Sequence, residues 1–238
     1  MLSFKIRGWN AYTPGLESAE SWGNWLQKKY ILPTDAPKPG LKNIPLMLRR
    51  RFTTIGKYSV EAAMPILAEN EHIPLVFASR HGDVELTLSL LQSIANNEPL
   101  SPTSFSLAVH NAISGLFSIA RKDRSEATAI SATENLIPFA LIEAATQLQD
   151  NKQVLCIICE SPLPDLYKPF ASSPPFPYAI AMVLSREEGD TFHLKSAPST
   201  VSEQGQNNEL EELMALLLSH RNCARFPTTQ DVEWIIQR

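Results

Sequence analysis

The side chains whose types and spacing suggest chemistry gather at one corner of the sequence. Thr133, Glu134 and Asn135 separate a short β-type run, residues 127–131, from an apolar helical run beginning at Leu136. A strand that turns sharply into a buried helix is a common mount for a nucleophile, because the positive end of the helix dipole favours negative charge there. Here the tip of the corner carries a carboxylate, Glu134, and no cysteine or serine nucleophile. A carboxylate is a poor substitute for a thiolate in holding an acyl group. Glu134 also has a local role open to it, since Ser131 and Glu134 match the spacing of a capping box. Pro138 would then fall too far inside the helix, so Asn135 as the cap, with Pro138 in the first turn, fits better.

Three other sets of residues look reactive on paper. Ser79, His81 and Asp83 are hydrolase parts by type, but spaced two apart they would only share one face of an extended segment, and a triad needs convergence in space. Cys156 and Cys159 form a C-x-x-C inside an apolar strand-like run, where residues three apart point to opposite faces, so buried inert thiols are expected. Arg49, Arg50 and Arg51 would attract an acidic partner, although a solvated helix face is the simpler account. No metal site and no cofactor is assigned.

Behind these residues stands an α/β pattern. Residues 3–9 read as a strand turned by Tyr12-Thr13-Pro14-Gly15, and 17–30 as an amphipathic helix carrying Trp22, Trp25 and Leu26. A proline-rich loop fills 32–45. Residues 46–70 read as one helix that Pro65 kinks or restarts. Residues 74–79 form a short buried strand, 83–95 a helix, and 96–103 a loop. Residues 153–159 form a continuous apolar strand covered on both faces. Residues 178–185 and 191–196 read as a hairpin, 202–208 as a polar linker, and 209–219 as a helix with Leu210, Leu213, Leu216 and Leu217 on one stripe. Helices alternating with buried strands predict a layered α/β domain.

Composition sets outer bounds. The chain has 238 residues, 44% of them hydrophobic, enough for one substantial core. Net charge −4 gives no basic face for nucleic acid. No apolar run is long enough for a membrane span, and the first residues lack the apolar core of a signal peptide. Three cysteines without a disulfide framework suggest the cytoplasm. Glycine, at 9 residues, is scarce.

With those elements in place the chain resembles the β-ketoacyl synthases, the condensing enzymes of the thiolase-like superfamily. Asn111, Gly115, Ser118, Ile119, Arg124, Ala129, Ser131, Ala140, Glu143 and Ala144 fall in register with that family's nucleophile region. Ile6 to Gly15, followed by Trp22 and Leu26, resembles its opening strand, turn and Trp-bearing helix. Residues 48–63, with Arg50 and Phe52, resemble its next helix, and residues 178–184 the strand closing its first half. The likeness runs over about residues 4–196.

The resemblance implies half of a thiolase-like fold, layered α-β-α around a mixed sheet. It makes residues 1–238 a single truncated ketosynthase-like domain with 203–238 as a C-terminal helical extension. In this register Glu134 occupies the place of the nucleophilic cysteine. The second half of the superfamily fold, with its two catalytic histidines, is expected to be missing, which puts Leu136, Ile137, Phe139, Leu141 and Ile142 at risk of exposure and calls for a partner. Chain length factors fit that description: nucleophile-free relatives that form a heterodimer with an active β-ketoacyl synthase and shape the tunnel of the growing polyketide. The chain resembles the bacterial aryl polyene type. That resemblance implies Val84, Thr87, Leu88, Leu91, Thr103, Ser104, Phe105, Leu107 and His110 as partner-interface and tunnel residues, though Val84 to Leu91 would serve equally as a core stripe. Contact with an acyl carrier protein through the complex stays open. So do a purely stabilising scaffold and a divergent acyl-processing enzyme with Glu134 as acid or base.

Overall fold

The computed structural model describes residues 1–28, 32, 39–199 and 208–238. The chain opens on β1 (Leu2–Tyr12). Thr13-Pro14-Gly15-Leu16 turns it, with Gly15 at the positive φ of +88° that such a turn reserves for glycine. α1 (Ala19–Leu26) starts at a Ser18 capping box and buries Trp22, whose indole N–H donates to Ala11 O at 3.2 Å. It is shorter than the helix expected over 17–30, and residues 29–30 of that expectation lie outside the described residues, as do 33–38 of the proline-rich loop and 202–207 of the linker.

The single helix expected over 46–70 is two. α2 (Leu46–Arg49) ends before Phe52 turns into the core, and Thr53, with an extended ψ of 180°, starts α3 (Thr54–Ala63) on a new axis. Pro65 stands in a 3₁₀ turn, Met64–Ile66, that closes α3. There follow β2 (Leu75–Ala78), α4 (Val84–Ala95), α5 (Pro102–Leu107), α6 (Ala112–Arg121), β3 (Ala127–Ile130), α7 (Leu136–Gln147), β4 (Gln153–Glu160), β5 (Tyr178–Ser185) and β6 (Asp190–Pro198). α8 (Glu209–Leu217), β7 (Cys223–Pro227) and β8 (Val232–Gln237) complete the described chain.

The strands form one eight-stranded mixed sheet in the order β3-β2-β4-β5-β1-β6-β8-β7. β3, β2 and β4 are parallel, and the remaining neighbours are antiparallel. The hairpin expected from β5 and β6 does not form, because β1 lies between them: Lys5 pairs with Ser185 on one side and Thr191 on the other. The link between β5 and β6 steps across β1 so tightly that a Cβ on Gly189 would stand 2.1 Å from Ile6 O. The C-terminal segment is also not purely helical. After α8 it forms a β7–β8 hairpin that extends the sheet through β8 and β6.

Helices cover both faces, so the layers are α-β-α. Alternate strand residues point to opposite cores. Val76, Cys156, Ile158, Ile180 and Met182 meet α1, α7 and α8 on one side. Phe77, Leu155, Ile157, Cys159 and Ala181 meet α3 and α6 on the other. Of the α7 residues that a missing half-fold would leave bare, Leu136, Ile137 and Leu141 are buried and Ile142 is half-buried, while Phe139 stays 41% exposed. Leu136, Ile137 and Leu141 join the core that holds Trp22 and the α8 leucines, and Phe139 rests on Trp234 of β8, their rings 5.8 Å apart. The chain's own C-terminal unit supplies the cover.

Candidate functional site

The carboxyl ends of β2, β3 and β4 lie side by side, the edge of an α/β sheet where ligands usually bind. The corner sits there, directly after β3. Asn135 is the α7 cap, as its place before Leu136 predicts, but it adopts a left-handed φ of +54° and caps without its side chain. Its amide instead donates to Pro227 O at 3.3 Å. Glu134 Oε2 accepts from both the backbone N–H and the hydroxyl of Thr229 in the β7–β8 turn, each at 3.3 Å. The Ile137 N–H, free at the start of α7, donates to Glu209 Oε2 of α8 at 3.1 Å. Three successive features of the corner are thus engaged by the C-terminal unit, and no nucleophile stands among them.

The other reactive-looking sets do not converge on it. Ser79 Oγ donates to Glu160 Oε1 at 3.4 Å and accepts from the Gly82 N–H. His81 Nε2 faces Ser172 O, and Asp83 caps α4 by accepting from the Leu86 N–H. These bonds diverge, so there is no triad. Cys156 and Cys159 are fully buried in opposite cores, and burial pushes both thiols up to about 12, the inert state expected of them. Arg49 is engaged with Ile44 O and Lys42 O rather than presented as part of a free basic patch. Among the described residues no group of three or more His, Cys, Asp or Glu is placed to hold a metal.

The sequence reading missed Glu160, Arg80 and Glu209. Glu160 closes β4, and Arg80 follows β2 by two residues. Burial pushes the Glu160 carboxyl up to about 7, against the pull of the Arg80 N–H and guanidinium. The signal available was a carboxylate at the end of a continuous apolar strand, where a charge must be paired or neutralised.

The residues assigned to a partner lie elsewhere. α4 is the second most hydrophobic of the longer helices after α7, yet none of its residues is fully buried. Val84 and Leu88 are half-buried, while Thr87 and Leu91 face solvent. α5 has no buried residue either. Thr103 is exposed, Ser104 and Leu107 are half-buried, and Phe105 is 63% exposed. Leu91, Ile94, Phe105 and Val109 leave large apolar side chains in water on these helices and the turn after them. His110 is different: half-buried, it faces Ile130 O through Nε2 at 2.8 Å and packs edge-on against Phe77, which ties the excursion back to β2 and β3. Gly82, at φ +62°, leaves room for it, since a Cβ there would stand 3.0 Å from His110 Nδ1. The amino end of α4, Val84 included, lines a cleft of about 430 Å³ with Ile55, Leu163 and Pro177.

The family model of the β-ketoacyl synthase N-terminal domain matches residues 22–237, which includes α8 and the hairpin that the sequence reading left outside the likeness. No curated protein matches. Among solved structures, the chain is similar to one described as a ketosynthase (ApeO) in complex with its chain length factor (ApeC) from Xenorhabdus doucetiae: 24% identity, all of both chains covered, TM-score 0.84. It is also similar to the ishigamide ketosynthase/chain length factor, at 12% identity over 93% of this chain and 74% of that one, TM-score 0.66. The AntDE:AntF assembly, described as a type II acyl-carrier protein in complex with its ketosynthase, matches at 16% identity over 93% and 76%, TM-score 0.58. At such identities the structures establish the thiolase-like α/β fold. Among the described residues no helix is long and apolar enough to cross a membrane.

Proposed function

Because the chain belongs to the β-ketoacyl synthase N-terminal domain family, we propose that it acts as a chain length factor. In this reading it is a ketosynthase-like subunit without condensation chemistry of its own, which forms a heterodimer with an active β-ketoacyl synthase and shapes the tunnel in which a polyketide or polyene grows. The observation that carries the reading is the corner, where Glu134, which the resemblance assigns to the nucleophile's place, is held by Thr229. Condensation needs a thiolate free to accept and release an acyl group, and this corner has none. The likeness to structures described as a ketosynthase with its chain length factor supports the choice of partner.

Two surfaces suit that partner. β3 is an edge strand whose described ladder runs only to β2, and an unpaired edge is a template for another chain. The α4–α5 excursion offers Leu91, Ile94 and Phe105 in water, the apolar exposure that marks an interface. Val84, Thr87, Leu88, Leu91, Thr103, Ser104, Phe105, Leu107 and His110 are assigned to the interface and its tunnel wall. An acyl carrier protein would reach the chain through the complex.

Co-expression with a candidate ketosynthase tests the proposal. A stable heterodimer on size-exclusion chromatography is expected, and Leu88 or Phe105 replaced by Ala and by Trp should shift product length in opposite directions. Unchanged lengths with the complex intact would leave only a stabilising scaffold. Loss of turnover in Glu134→Gln, with the complex intact, would point to acid–base chemistry instead.

A further inference from the structure

The partner reading does not use the ion cluster at the ends of β2 and β4. Arg80 stands between two carboxylates. Its Nη2 donates to Glu209 Oε1 at 2.6 Å, while its Nε lies 3.7 Å from Glu160 Oε2, beyond hydrogen-bond reach. Glu160 Oε1 accepts instead from the Arg80 backbone N–H at 2.5 Å and the Ser79 hydroxyl. The second oxygen of Glu209 caps α7 through the Ile137 N–H. A single guanidinium therefore fastens α8 to the strand ends, and the first residue of α8 fastens the corner.

Glu160 is 4% exposed. The charged and titratable groups around it are Arg80 after β2, Glu209 on α8, Tyr178 opposite it on β5, and Cys159 beside it on β4, with Asp83 at the amino end of α4 acting on Cys159. When both carboxylates are ionised, two negative charges share one positive charge away from water.

We propose that protonation of Glu160 sets how firmly α8 and the β7–β8 hairpin are held against the corner, so that this unit and the amino end of α7 loosen together as pH rises. With the proton on Glu160, Arg80 and Glu209 form a balanced pair. Loss of the proton makes Glu160 compete for Arg80 and weakens its hold on Glu209. The closed state keeps a proton up to about pH 7 that an opened, hydrated carboxyl, with its ordinary value of 4.5, would release. Opening therefore grows with pH through that interval and levels off above it.

Hydrogen exchange on the full chain at pH 6 and pH 8, corrected for intrinsic base catalysis, reads this directly. Peptides covering residues 136–141 and 209–217 should open about tenfold more at pH 8, while those of β4 and β5 stay unchanged. Glu160→Gln should abolish the pH dependence in both peptides. Glu209→Gln, which cuts the tie itself, should raise exchange there at both pH values. Equal pH dependence in wild type and Glu160→Gln would overturn the proposal. If Glu160→Gln does not fold, a carbon-detected titration of the Glu160 carboxyl in the wild-type chain decides: midpoint near neutrality upholds the linkage, and an ordinary carboxylate midpoint ends it.

Discussion

The corner at Glu134 and the α4–α5 excursion meet solvent in opposite ways. The corner is polar, yet its exposed Glu134, buried Asn135 and the Ile137 N–H are engaged by the chain's own C-terminal unit. The excursion is apolar, yet α4 and α5 bury none of their residues fully. Under the proposed register the corner is the nucleophile's place, and there this chain is self-sufficient; the apolar excursion is the surface the proposed partner would cover. The exposed apolar surface lies on the excursion and not at the corner.

Experiments can break this contrast, the largest effects first. Cys156 and Cys159 lie in the two sealed cores with thiols pushed from 9.0 to about 12. In the native chain each should react with a thiol reagent about a thousandfold more slowly than after unfolding, from the loss of thiolate alone. Of the three cysteines only Cys223, half-buried, should label readily, and mass spectrometry of the labelled protein counts them. Leu213→Ala, in α8, should cost about 2–5 kcal/mol in urea unfolding if the C-terminal unit belongs to the core. Phe105→Glu should leave the unfolding midpoint of the isolated chain near wild type. It should weaken ketosynthase binding by about 1.5–3 kcal/mol, roughly ten- to a hundredfold in Kd by calorimetry. Glu134→Ala removes only exposed hydrogen bonds, so a loss of about 1 kcal/mol or less is expected, with turnover of the heterodimer unchanged.

Much of the fold was legible where one residue type decides the outcome. The continuous apolar run of β4, the stripe on α8 and the placement of Asn135 before Leu136 each predicted their element within a residue or two. The failures have a common cause in long-range pairing. β5 and β6 have the pattern of a hairpin, and only β1, from the other end of the chain, prevents it. Leu136, Ile137 and Leu141 looked bare because α8 and the hairpin were not placed above them. Residues 223–237 are short strands with a proline and charged side chains, readable only once β6 offers an edge. At the site, the absence of a nucleophile at Glu134 was visible in sequence. The Arg80 cluster was not, since residues 80 and 160 meet only when β2 and β4 pair, and residue 209 joins them only when α8 packs over the sheet.

The insertion of β1 between β5 and β6 also has a consequence in time. Both ladders of the central strand join residues near 5 to residues near 185–191, so neither forms while the chain is emerging. At ordinary elongation rates the ribosome takes on the order of ten seconds to half a minute to pass from β1 to β6. Throughout that interval Phe4, Ile6 and Trp22, all buried in the finished molecule, have no sheet to enter. High sequence separation of this kind slows folding and lengthens exposure to aggregation. The nascent first strand is therefore where a chaperone would engage this chain, and moving β1 by circular permutation to follow β5 should speed refolding.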